Sequence, residues 1–224
     1  MNIFSDIFDI QNCLRETKEK GYFFSNGCSE ELLNSLQKEI KTLNFEYGDH
    51  INHPINDGKK YRVTQSHERY YKMFNDPTVP CANLLCKLLK KEITKVSDIF
   101  PELENWQPYE IGYQKYRDKR DFISPHRDRW SDRKLSVTYT ITGSAKIKIY
   151  KSLTEPVDYK FIEQIDEFQT MPGSIMFLRA PGFGNGLQVI HEVLPPDICP
   201  RYILNLRTRD ILLKGPSESF TSLF

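Results

Sequence analysis

In Ser124-Pro-His126-Arg-Asp128 an imidazole and a carboxylate stand two residues apart. On an extended chain residues i and i+2 point to the same face, so one strand edge can offer both groups to a single metal ion. A second imidazole follows at His191. It lies in a run where Leu187, Val189, His191 and Val193 alternate onto one apolar, inward-looking face. A histidine there needs a partner. A hydrogen-bonded core histidine is the commoner arrangement, and a metal brought by His126 and Asp128 is the alternative. Two imidazoles and one carboxylate would take three positions on iron and leave three open.

A third element bears on that choice. In Arg201-Tyr-Ile-Leu-Asn-Leu-Arg207 one face carries Arg201, Ile203, Asn205 and Arg207, and the other Tyr202, Leu204, Leu206 and Thr208. Both faces are partly apolar, so the strand is expected to be buried on both sides. Two buried guanidiniums are costly unless each is paired. Their backbones are ~20 Å apart at ~3.3 Å per residue, and two long side chains leaning together could grip a short dicarboxylate. Ordinary salt bridges to Asp or Glu are the competing explanation, more so for Arg207 than for Arg201.

The elements that must position these residues change character near Pro101. Before it, helices dominate. Leu32, Leu33, Leu36, Ile40 and Leu43 recur at helical spacing from Glu30 to Leu43, with Ser29 as cap and Glu30 and Glu31 at the positive end of the helix dipole. A second helix is expected from Val79 to Val96, on the stripe Cys81, Leu84, Leu85, Leu88, Leu89, Ile93 and Val96. Residues 46–76 between them are polar and aperiodic, a solvated loop or a lid. From Pro108 onward the pattern is β. Strands are expected at Leu135–Thr142 and, after a turn at Gly143, Ala145–Lys151. Others fall at Ser174–Leu178, Leu187–Val193 and Arg201–Arg209. Short strands at this spacing imply a sandwich, jelly roll or barrel. The reading is one domain over 1–224: helical support and a possible lid at 1–107, a β core at 108–210 and a tail at 211–224.

The order of the motifs resembles the Fe(II)/2-oxoglutarate oxygenase superfamily, and its AlkB-like branch most closely. The resemblance runs over 109–209: Gln114-Lys-Tyr116, then His126-Arg-Asp128, then Pro172-Gly-Ser-Ile-Met-Phe, then His191-Glu-Val-Leu-Pro-Pro, then Arg201 and Arg207. It implies an α+β chain with a double-stranded β-helix (jelly-roll) core flanked by N-terminal helices. It also implies a dioxygenase that consumes O2 and 2-oxoglutarate and releases succinate and CO2. His126, Asp128 and His191 would hold iron. Arg201 would pair with the distal carboxylate of 2-oxoglutarate, Arg207 would sit near the keto-acid end beside Asp128, and Tyr116 would donate its hydroxyl to the cosubstrate. Gln114 stands where that branch has Asn, and Asn205 where it has Thr; both are candidate cosubstrate contacts. A carboxylate at 128 argues for hydroxylation, since related halogenases keep a small residue there.

Composition narrows the partners. The formal net charge is +1, from 31 basic and 30 acidic residues, so no global positive field argues for nucleic acid. Locally, 115–134 holds eight basic residues against four acids. With Trp130 and Arg127 there and Tyr70 and Tyr71 upstream, an anionic substrate is favoured and a nucleic acid permitted; a mixed-charge surface hairpin explains the same residues. His50, His53 and His67 read as loop residues rather than a second metal site, and Gly182-Phe-Gly-Asn-Gly186 as a turn. Five cysteines, odd in number and without a C-x-x-C pair, suggest a reducing compartment. With no signal peptide at the N-terminus and no apolar run near the ~18 residues of a membrane helix, a cytoplasmic monomer is expected. Three functions fit: a hydroxylase of a small molecule or protein side chain, an AlkB-like nucleic-acid demethylase, or a β-barrel binding module that lost catalysis. The intact ligand set counts against the last.

Overall fold

The computed structural model describes residues 1–47, 53–54, 62–129, 131–154 and 157–209. Among these residues three α-helices and thirteen strands follow one another as α1 (Ile10–Lys20), β1 (Tyr22–Ser25), α2 (Glu30–Glu39), β2 (Glu46–Tyr47), β3 (His53–Pro54), β4 (Arg62–Val63), β5 (Gln65–Ser66), β6 (Glu68–Met73), α3 (Pro80–Thr94), β7 (Glu110–Tyr116), β8 (Phe122–His126), β9 (Asp132–Ser152), β10 (Ile162–Thr170), β11 (Ile175–Arg179), β12 (Ile190–Val193) and β13 (Ile198–Arg209).

Two antiparallel sheets share β9. Its first half pairs with β13 and β11, extending a large sheet in the order β2-β6-β7-β13-β9-β11-β1. Its second half pairs with β10 and β12, which continue to β8 and β5. This is a double-stranded β-helix. The turn expected at Gly143 is instead a bend within one 21-residue strand. Gly143 has φ +68°, and a Cβ there would stand 2.5 Å from the Ile198 carbonyl oxygen and 2.7 Å from Arg201 Cα. Only glycine lets β9 pass from one sheet to the other at that point.

The helices cover the outer face of the large sheet. Leu32, Leu36, Leu85 and Leu89 pack with Val137, Tyr139, Ile141, Leu204 and Leu206 in the main core. Ser29 caps α2, its hydroxyl accepting from Leu32 N at 3.2 Å. In α3 the buried stripe runs through Ala82, Leu85, Cys86, Leu89 and Ile93, and Leu84 lies outside it, 44% exposed. The helix α1, absent from the sequence expectation, buries only Cys13, Leu14 and Thr17; so narrow a stripe gives little periodic signal. The polar stretch 46–76 is not all loop. β6 lies along β7 over six register pairs and widens the large sheet. The Leu187–Val193 strand shortens to β12, with Leu187 half exposed and both Ile190 and His191 buried. No described helix is long and apolar enough to cross a membrane.

Candidate active site

β13 is buried on both sides, as its composition implies. Tyr202, Leu204 and Leu206 face the helices. Arg201, Ile203, Asn205 and Arg207 face a pocket between the two sheets. Gln114, Tyr116 and Thr138 line it from the large sheet, and Ile123, His126, Ile147, His191 and Val193 from the small one.

β8 and β12 bring the two histidines together. The register pairs His191 with His126 and Val193 with Ile123, so three steps on β8 oppose two on β12. This bulge turns both Ile123 and His126 to the pocket, although they stand an odd three positions apart. The imidazole centroids are 4.2 Å apart, and ligand atoms of His126, Asp128 and His191 all lie within 4.8 Å of one another. His126 Nδ1 is 2.8 Å from the Ser124 carbonyl oxygen. A carbonyl only accepts, so Nδ1 carries the proton and the Nε2 lone pair is free. His191 Nδ1 leans on the Val189 backbone without full hydrogen-bond geometry, and its Nε2 is 4.0 Å from Asp128 Oδ1.

Burial lowers both histidine pKa values, that of His126 to about 3, with the other imidazole opposing its charge. Burial alone would raise the Asp128 carboxyl, but Arg207 and then the two histidines hold it down at about 2. At neutral pH the site therefore presents two neutral imidazoles and one carboxylate, the protonation states a divalent metal requires.

The two arginines differ sharply. Arg207 Nη2 donates to Asp128 Oδ1 at 3.2 Å; its Nε lies 3.6 Å from Asp132 Oδ2 and its Nη1 3.7 Å from Glu110 Oε1. Arg129 closes the network with a 2.6 Å bond from Nη2 to Glu110 Oε1. The salt-bridge explanation thus applies to Arg207. Arg201 is 0% exposed, and among the described residues none of its three guanidinium nitrogens makes a hydrogen bond of full geometry. The Tyr116 ring lies 5.2 Å from its guanidinium carbon. The Tyr116 hydroxyl donates elsewhere, to Gln114 Oε1 at 3.1 Å, and Gln114 Nε2 in turn donates to the Tyr71 oxygen at 3.2 Å. Thr138 donates to Asn205 Oδ1 at 2.5 Å, which leaves the Asn205 amide N–H groups for the pocket.

A metal and a dicarboxylate fit these residues. The donor set is right for iron, and an unpartnered, fully buried guanidinium is satisfied by a carboxylate better than by anything in its present surroundings.

The candidates beyond this core fare unevenly. Tyr71 reaches the pocket edge, but Tyr70 points to the opposite face of β6, into the helix-side core, where its hydroxyl donates to Thr78. Arg127 is half-buried and not among the lining residues. Trp130 and His50, and the side chain of His53, fall outside the described residues. His67 is buried, with its pKa pushed down to about 4 by desolvation. Of the eight basic residues in 115–134, four have acidic partners at 2.6–2.7 Å: Lys115 with Glu68, Arg117 with Asp121, Arg120 with Asp118 and Arg129 with Glu110. Half of the cations expected to form a positive rim are thus paired with acids, as a mixed-charge surface would have them. Sequence reading missed Glu110, Asp132 and Thr138. Glu110 shares the Gln114–Tyr116 face by alternation, the one signal that could have found it.

No protein-family model matches the chain, and no curated protein matches it. Solved structures do. A Pseudomonas putida prolyl-4-hydroxylase is 10% identical, with 89% of this chain and 98% of that one covered and a TM-score of 0.60. A Trichoplax adhaerens prolyl hydroxylase, in complex with a hypoxia inducible factor oxygen degradation domain peptide fragment, is 12% identical, with 88% and 87% covered and a TM-score of 0.59. OsALKBH1 is 11% identical, with 84% and 97% covered and a TM-score of 0.55. The chain has the fold of these proteins.

Proposed function

We propose that this protein is an Fe(II)- and 2-oxoglutarate-dependent dioxygenase that hydroxylates a C–H bond of its substrate. The observation that carries the reading is Arg201, a fully buried cation without a counter-ion among the described residues, opening on the pocket that also holds two neutral histidines and an aspartate. Iron and 2-oxoglutarate, when bound, supply O2 activation, with succinate and CO2 as co-products.

The chain's own residues supply position. His126, Asp128 and His191 ligate the metal. Ser124 fixes the tautomer of His126. Arg207, gripped by Asp128, Asp132 and Glu110, holds the ligating carboxylate in place. Arg201 takes the distal carboxylate of the cosubstrate through its planar fork, backed by the Tyr116 ring. Asn205 donates its amide to the same ligand, and Gln114 keeps the Tyr116 ring in register. Ile123, Ile147, Met176, Leu178 and Val193 form the apolar wall, which keeps water from the reacting centre. The paired charges of 115–134 lend no support to recognition of a nucleic-acid backbone, so the hydroxylase reading is preferred to the demethylase.

The test is succinate release by purified protein supplied with Fe(II), ascorbate and 2-oxoglutarate. Slow turnover without added substrate is expected, and its loss in His126→Ala. Absence of turnover in the wild type, with no 2-oxoglutarate binding, would leave a β-barrel binding protein.

A further inference from the structure

We infer that Arg69 and Tyr71, on the β6 edge of the pocket, form a subsite for an oxyanion of the substrate, a carboxylate or a phosphate. The inference rests on the oxygenase reading above and adds what the substrate must carry.

The register puts these residues at the pocket. Arg69, Tyr71 and Met73 pair with Gln114, Gly112 and Glu110, which in turn pair with Ile203, Asn205 and Arg207. Arg69 and Tyr71 therefore continue the pocket-facing rows of β7 and β13 outward by one strand. Gly112 makes this possible. A Cβ at 112 would stand 2.3 Å from Tyr71 Cε1 and 2.7 Å from Cδ1. The Tyr71 ring occupies that space against the sheet, and its hydroxyl reaches Gln114 at the pocket wall.

Proton direction then decides what the edge offers. Tyr116 is fully buried and gives its proton to Gln114 Oε1, so the amide turns its N–H2 end to Tyr71. The Tyr71 oxygen accepts that bond, and its own O–H must find an acceptor elsewhere. No described residue provides one, and Tyr71 is 37% exposed. Arg69 lies beside it, guanidinium carbon 5.8 Å from the ring centre, and no carboxylate among the described residues is in salt-bridge range. Lys115, Arg117, Arg120 and Arg129 each have one. A guanidinium and a phenol O–H are donors without acceptors among the described residues, and the complementary group accepts only: a charged oxygen.

The experiment titrates benzoate, phenyl phosphate and the neutral control benzamide into protein saturated with Fe(II) and 2-oxoglutarate under anaerobic conditions. Calorimetry follows the wild type, Arg69→Gln and Tyr71→Phe. One oxyanion probe is expected to bind the wild type. Its affinity is expected to fall about tenfold or more in Arg69→Gln and severalfold in Tyr71→Phe, the scale of a charge-assisted and a neutral hydrogen bond. Arg69→Gln should still take up 2-oxoglutarate, and both variants should keep the wild-type thermal unfolding transition, which shows that they are folded. Preference for benzoate or phenyl phosphate identifies the source of the oxyanion. Binding of benzamide as tight as either anion, equal affinities in all three proteins, or no oxyanion binding to a wild type that holds 2-oxoglutarate would each overturn the subsite alone. Failure of the wild type to hold 2-oxoglutarate would overturn the oxygenase reading, and the subsite with it.

Discussion

Arg201 and Arg207 sit six residues apart on one face of β13 and differ in kind. Arg207 is held by three carboxylates; Arg201 has none among the described residues. Removing a partner from a buried charge network is strongly destabilising, whereas removing a lone buried charge relieves desolvation. Arg207→Met should therefore lower stability by about 2–4 kcal/mol, and Arg201→Met should leave it unchanged or raise it. Urea unfolding of the two variants measures this; equal losses would contradict the assignment of Arg201 as a ligand-binding group. At this scale the chemistry was legible where it depends on spacing along the chain, as with Arg201 and Arg207 on β13 or with His126 at the end of β8 and Asp128 just beyond it. It was not legible where it depends on cross-strand partners. The salt bridges of Arg129 to Glu110 and Lys115 to Glu68 pair cations of a segment whose composition reads as basic with acids outside it. Likewise nothing in the sequence announces that the Tyr116 hydroxyl is taken by Gln114.

The element that matters most is β9, which lines the pocket from both sheets through Thr138 and Ile147. Its bend depends on Gly143. Gly143→Ala places a methyl group against the Ile198 carbonyl and the Arg201 backbone at a positive φ. The cost should be at least about 2 kcal/mol, with weaker 2-oxoglutarate binding because Arg201 is displaced. Thermal unfolding and a cosubstrate titration on the same variant check both; an unperturbed Gly143→Ala protein would refute the bend as a fixed device. The alternation of β9 was readable on either side of Gly143, but glycine signals a turn and a strand bend equally well, and only the sheet partners distinguish them. The β8 bulge is likewise invisible locally, because it is defined by its register with β12. α2 and α3 were readable from broad leucine stripes, and α1 was not, having three buried residues.

Over the whole molecule the division of labour is simple. Helices seal the outer face of the large sheet, and the space between the sheets is left for chemistry. The same fold recurs at 10–12% identity in the three proteins compared. Such identity is low enough that burial pattern, strand register and a few bends must specify the architecture, rather than particular side chains. Helices flanking a jelly-roll core could be expected from the sequence, but not the strands β1, β2, β5 and β6 that residues before Pro101 add to the sheets. The central claim is that the pocket between the sheets binds 2-oxoglutarate through a metal and Arg201. The most direct measurement is an anaerobic calorimetric titration of 2-oxoglutarate into the protein with and without Fe(II), repeated on Arg201→Met. The account predicts one site that needs the metal and weakens by about a hundredfold or more in the variant, as expected when a bidentate charged contact is removed. Binding that ignores both metal and Arg201, or no binding at all, would contradict it.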